Sequence, residues 1–259
     1  MSGVAEATTL LDSWIRDFRP FSLQHLLSTG FFTVLGLLMI RAGRARLRRD
    51  TSGASEASLR RSWGVFILLV QTIETIWWLL PENFTHAKSY PLALCDLAAW
   101  ATGVSMLTGS RDLRVLVYYW GLCLSSQAFF TPILHEGEGW GTARFWFFYV
   151  IHTNIIFGAI YELVVCGLRP TWRDFWRSIV ITMAYLSLVI PIDIALDVNY
   201  GFVGKTDEQP GVIALLPAWP WRIYGVMAAG FVAFLIATVP WWIVAKVRER
   251  RARGVPQGH

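Results

Sequence analysis

The chain alternates long apolar runs with short polar connections. Runs at 21–40, 63–80, 90–107, 113–130, 145–166, 175–196 and 223–244 are each long enough, as helices, to cross the ~30 Å hydrocarbon core of a bilayer. This pattern predicts an all-α fold, a seven-helix transmembrane bundle forming one integral membrane domain over residues 1–259, with no internal repeat. Residues 197–222 form the longest connection. Pro210, Pro217 and Pro220, with Gly201, Gly204 and Gly211, argue against a continuous helix there. Trp219 and Trp221 suit an interfacial anchor. Residues 50–58, between two arginine clusters, read as a mobile polar loop.

Charge gives the bundle a direction. Arg41, Arg44, Arg46, Arg48, Arg49, Arg60 and Arg61 crowd the first connection, and alternation puts Arg111, Arg114, Arg169, Arg173 and Arg177 on the same side. The last run ends on that side with Lys246, Arg248, Arg250, Arg251 and Arg253. Basic loops stay in the cytoplasm, so the expected topology has the N-terminus outside and the C-terminus inside. Residues 1–19 lack a basic start and a small-residue cleavage site, so no signal peptide is expected. The expected location is the plasma (inner) membrane, crossed several times.

Composition agrees. Hydrophobic residues make up 54% and charged residues 16%, and the 14 Trp fit interfacial belts. The net charge of +5 raises a nucleic-acid reading, but the basic residues flank apolar runs and form no binding face, so no nucleic-acid partner is expected. The three cysteines, Cys95, Cys123 and Cys166, lie inside apolar runs at different depths, which argues against a disulfide framework and leaves room for one functional thiol.

The candidate chemistry comes from depth, counted at ~1.5 Å per residue from the outer end of each run. His25, Cys95 with Asp96, and Gln127 with Ser125 and Ser126 fall about one turn in, and Gln71, Glu74, His152 and Asn154 about two turns in. Asp193 closes the sixth run near its outer end. Ionisable or amide groups on six runs at similar depth predict a polar cavity in the outer-leaflet half, because such groups inside a membrane face partners or water. Each residue also has a structural reading: His25 as an interfacial cap, Gln71 and Glu74 as inter-helix hydrogen-bonding groups, Cys123 and Cys166 as small apolar fillers. Cys95 gains weight from a histidine at matching depth, since Cys with His is the minimum for an activated thiol nucleophile.

Several stretches carry a resemblance. Arg19-Pro20-Phe21-Ser22-Leu23-Gln24-His25-Leu26, Tyr90-Pro91-Leu92-Ala93-Leu94-Cys95 and Phe147-Phe148-Tyr149-Val150-Ile151-His152 are similar to the YwaF-like family of polytopic membrane proteins. Asp197-Val198-Asn199-Tyr200-Gly201-Phe202 and Ala218-Trp219-Pro220-Trp221 resemble that family's loop before the last helix, so the likeness extends from Pro20 to about Tyr224. Animal relatives are regarded as acyltransferases that remodel ether-linked phospholipids. In them a cysteine at the place of Cys95 and a histidine at the place of His152 are taken as the catalytic pair. The chain departs from its relatives at Ala93, where many have histidine, and at Arg222, where tyrosine is frequent.

The resemblance implies a membrane-embedded acyltransferase or transacylase with catalytic Cys95 and His152 and a thioester intermediate. His25, Asp96, Gln127, Asn154, Asp193, Asn199 and Tyr200 would support the site or bind substrate. The expected partner is a membrane phospholipid or glycolipid, and no cofactor or metal is implied. Two other classes stay open: a transporter or sensor using the same cavity, and a metal-dependent lipid hydrolase with His25, His152, Asp96 and Asp193 as ligands.

Overall fold

The structure is a computed structural model that describes residues 15–206 and 211–253, and the described residues are helical with no strand. Among the described residues seven α-helices of nine or more residues follow one another, α1 Leu23–Arg49, α2 Ala54–Leu79, α3 Leu94–Thr108, α4 Arg111–Tyr119, α5 Ala143–Val164, α6 Trp172–Leu196 and α7 Trp221–Arg253, with a single turn, His86–Ser89, between α2 and α3. Six helical stretches are long and apolar enough to cross a membrane; α4 is not among them.

The fourth run is therefore not the single α-helix expected over 113–130. After α4 the chain widens into a π-helical segment, Trp120–Ser125, and then tightens into a 3-10 turn, Ser126–Phe129. Helices of this kind mostly occur as one-turn bulges, often at functional sites. One long-range and one local hydrogen bond hold it. Trp120 Nε1 donates to Thr182 Oγ1 at 2.9 Å, and Ser126 Oγ donates to Leu122 O at 2.7 Å.

The third run also starts later than expected. Tyr90 is extended, as a residue before proline prefers, and the helix begins only at Leu94 after a turn through Pro91 and Leu92. Residues 50–58 are not a loop throughout. Only residues 50–53 connect α1 to α2, with Gly53 at a φ of 74° making the reversal, and Asp50 accepting from Ser52 and Ser55.

The bundle has two distinct ends. At one, arginines from the basic connections pair with carboxylates on neighbouring helices. Arg114 Nε donates to the fully buried Glu162 at 2.5 Å, Arg111 Nη2 to Asp174 at 2.6 Å, and Arg177 Nη1 to Asp112 at 2.6 Å. Glu56 is also buried there, held by Arg60 and by the Tyr161 hydroxyl at 2.9 Å. At the other end, backbone acceptors and loop residues dominate: Tyr185 OH donates to Leu92 O at 2.9 Å, and Arg144 pairs with Glu138. Charges taken out of water need this kind of pairing, and here they gather at the helix ends.

Two apolar cores fill the middle. One packs α1 and α2 against α5 through Phe32, Ile67, Tyr149 and Phe157; the other joins α3, the fourth run, α6 and α7. Helix α5 belongs to both. Of its most apolar window 61% is buried, against 11% for α7, so α5 is the central helix and α7 the most peripheral of the long ones. Helices α2 and α3 cross closely at Gly64 and Gly103, where a Cβ on Gly64 would sit 2.9 Å from Gly103 O. Only glycine permits that approach, and it fixes the helix carrying Cys95 against α2.

Candidate functional site

At the end opposite the arginine clusters, a cavity of about 840 Å³ opens among α2, α3, the fourth run, α5 and the loop before α7. This lies within the ~300–1,000 Å³ range of small-molecule sites. Helical periodicity supplies its walls. Glu74 and Trp78 lie four residues apart on α2, and Arg144, Phe148 and His152 recur at the same interval on α5. The first turn of α3 contributes Cys95 and Asp96, the broken fourth run Ser125 and Gln127, and the loop Asn199, Tyr200 and Phe202.

His152 is oriented by its own helix. Its Nδ1 lies 2.7 Å from Phe148 O, and a carbonyl can only accept, so Nδ1 carries the proton. In the neutral ring Nε2 is then an acceptor, and no hydrogen bond is recorded to it among the described residues. The cavity therefore contains an imidazole whose tautomer suits a base. Glu74 is held by Gln71 Nε2 at 2.8 Å and by Trp78 Nε1 at 3.4 Å. Glu74, Asp96 and His152 lie near enough for their charges to act on one another.

Cys95 is reduced, and its Sγ donates to Ser125 Oγ over 3.8 Å. Its position differs from the expected one in an important way. Because α3 begins at Leu94, Cys95 lies in the first turn and not one turn deep. Ala93 at the N-cap offers no side chain to the first turn; its carbonyl accepts from Asp96 N–H at 3.0 Å and Leu97 N–H at 3.2 Å, so the Leu94 and Cys95 amides are the ones without a partner among the described residues. The positive end of the helix dipole favours negative charge at this place.

Not every residue expected in the site is there. Cys95, Asp96, Gln127, His152, Asn199 and Tyr200 line the cavity; His25, Asn154 and Asp193 do not. His25 is buried and both ring nitrogens are used. Phe21 N–H donates to Nδ1 at 2.8 Å and Nε2 donates to Phe129 O at 2.9 Å, so it ties α1 to the fourth run. Asn154 follows His152 by two residues, which rotates it ~200° to the far side of α5. There its Oδ1 accepts from Trp63 Nε1 at 2.7 Å. Asp193 receives Tyr200 N–H at 2.9 Å and shapes the loop, whose turn is completed by Gly204 N–H donating to Asn199 Oδ1 at 2.9 Å. Among the described residues no three His, Cys, Asp or Glu side chains converge on a point that could hold a metal ion, so the mixed ligand set expected from depth is dispersed.

Two residues that depth counting placed at this level without a role in the site also line the cavity, Ser125 beside the thiol and Glu74, and they are joined by Lys88 and Arg144 over the ring of Trp78. Four-residue spacing on α5 was the signal available for Arg144. Depth had brought Ser125 to this level, but its place beside the thiol depends on the π-helical segment.

A family model covers most of this architecture, matching residues 20–238. The chain belongs to the TMEM164 family. It is a multi-pass membrane protein, and every cavity residue named above falls inside the matched region. No curated protein and no solved structure matches the chain.

Proposed function

We propose that this protein is a lipid acyltransferase of the plasma (inner) membrane, moving an acyl group through a thioester on Cys95, with the N-terminus outside and the cavity in the outer-leaflet half. The observation that carries the proposal is the pairing in one cavity of a reduced thiol at a helix N-terminus with a histidine whose Nδ1 proton is fixed by Phe148 O. The likeness of the cysteine and histidine stretches to the YwaF-like proteins, whose animal relatives are regarded as ether-phospholipid acyltransferases, supports the same reading.

The proposed reaction has two halves. The Cys95 thiol passes its proton to His152 Nε2 while sulfur attacks the carbonyl carbon of a lipid ester. A thiolate formed in advance would be an unpaired charge held out of water, so proton transfer accompanies attack. The ester C–O bond breaks and the leaving oxygen takes the proton from His152, giving a thioester and a lyso-lipid. A second hydroxyl then gives its proton to His152 and attacks the thioester; the C–S bond breaks and sulfur recovers the proton. The Leu94 and Cys95 amides at the start of α3, with Ser125 and Gln127, are the donors available to the oxyanion, since the Asp96 and Leu97 amides already donate to Ala93 O.

Intact-protein mass spectrometry after incubation with native lipids tests this. An acyl-sized mass increase released by hydroxylamine is expected in the wild type, in Cys123→Ala and in Cys166→Ala, and absent from Cys95→Ala. His152→Ala should slow its appearance by about 10²–10⁴-fold, the usual contribution of a general base. Full turnover by Cys95→Ala would overturn the mechanism.

A further inference from the structure

Beside the polar cavity lies a second, smaller one of about 260 Å³, between α6, α7 and the π-helical segment. Its walls include Met183 and Leu186 from α6 and Met227 and Phe234 from α7. The two cavities share Leu94, Leu124, Gln127 and Phe202, so they meet at the residue preceding Cys95. We infer that this slot is the subsite for the acyl chain of the transferred group, entered sideways from the bilayer; the inference rests on the acyl-transfer reading of the larger cavity.

The chemistry of the lining selects the occupant. Four polar side chains reach the slot, and three are already engaged. Thr182 Oγ1 accepts from Trp120 Nε1 and donates to Ser178 O, Tyr185 OH donates to Leu92 O, and Cys123 Sγ donates to Ala233 O at 3.7 Å. The fourth, Gln127, stands at the junction with the polar cavity. The rest of the slot offers hydrocarbon, so a sugar or headgroup placed there would lose its hydrogen bonds to water without replacement. An acyl chain loses none. The volume suits part of one chain and not a whole lipid.

Position supports the same assignment. Phe234 and Leu186 are buried at the inner side of the slot, whereas Phe231 and Ala229 are exposed on the lipid-facing surface of α7. A chain can thus enter from the bilayer without crossing water. Phe202, at the junction, holds a φ of 60°, a conformation strained for a bulky residue and found at functional sites. The loop hydrogen bonds from Gly204 to Asn199 and from Tyr200 to Asp193 keep it there, as a partition between headgroup space and chain space.

Gly230 gives a way to fill the slot. A Cβ built on it would lie 3.9 Å from Leu124 Cδ2, an ordinary contact, so Gly230→Leu extends into the slot without a backbone clash. The test uses full-length Cys95→Ala protein in vesicles containing a phosphatidylethanolamine with a diazirine near the end of a palmitoyl chain. Photolysis should leave adducts on Met183 and Met227. Gly230→Leu should reduce them about tenfold, as expected when about two methylenes are expelled, while Val232→Leu on the lipid face should not change them. Met183→Trp, which fills the slot from α6, should repeat the loss. Adducts confined to lipid-facing residues, or unchanged by both filling variants, would overturn the assignment. Separately, wild-type protein without thioester but with the slot adducts intact would remove the acyl-transfer reading and leave the chain site standing.

Discussion

Arg114 and Glu162 tie the start of α4 to the end of α5, and removing the arginine measures how far the bundle depends on that tie. Glu162 is fully buried. Its Oε2 receives Arg114 Nε at 2.5 Å, the same guanidinium donates to Cys166 O at 3.2 Å, and Oε1 has no partner among the described residues. Arg114→Met keeps an unbranched stem in place but leaves an unpaired buried carboxylate, a change that costs about 3–5 kcal/mol. Arg114→Met/Glu162→Met removes both charges, and replacing a buried pair by packed apolar groups is often neutral or stabilising, so the double variant should recover most of the loss. Unfolding by SDS in mixed micelles, followed by tryptophan fluorescence, gives the comparison. The single variant should unfold at a clearly lower detergent fraction and the double variant near the wild type. If Arg114→Met matched the wild type, Glu162 would have to be neutral or hydrated without its arginine, and the reading of this end as a buried ion pair would be wrong. Equal instability of single and double variants would instead assign the loss to the arginine's packing and its bond to Cys166 O.

Three further outcomes are expected. Gly64→Val should force α2 from α3 at the contact with Gly103 O and cost about 1–3 kcal/mol in the same assay, an overpacking penalty; an unchanged midpoint would count against that crossing. The Asp50 carboxyl is held below its ordinary range, first by the Ser52 hydroxyl and then by the Ser55 and Ser52 amides, so its loop bonds are fully present above pH ~3.9 and lost as pH falls through the lowered folded-state value. Relative to the intrinsic rate at each pH, the protection of the Ser52 and Ser55 amides from hydrogen exchange should be lost only in that acid range, and in Asp50→Asn it should already be reduced at neutral pH. For topology, cysteine at Lys205 should react with an impermeant maleimide in intact cells while cysteine at Ser55 stays unlabelled, and the reverse pattern would move the cavity to the cytoplasmic leaflet.

The membrane made much of this protein legible in one dimension. A bilayer requires some twenty apolar residues per helical crossing whatever their order around the helix, so six of the seven runs appear as long apolar helices. Depth was legible for the same reason, and it was enough to bring Cys95, Asp96, Gln127 and His152 into consideration together. Azimuth was not. His152 and Asn154 share a depth and face opposite sides of α5, one into the cavity and one to Trp63. His25 carries the right chemistry at the right level, yet both its nitrogens are used by backbone groups of Phe21 and Phe129, the second more than a hundred residues away in the chain. Backbone winding was equally hidden: the π-helical turn that brings Ser125 to the thiol depends on contacts with α5 and α6, and local propensity cannot report those. Pro91 could have announced the late start of α3, because the residue before a proline avoids the helical region. Apolar length and charge order therefore belong to the sequence alone. Which polar atoms remain free for chemistry was decided by tertiary packing, because only packing says which of them have already found a partner.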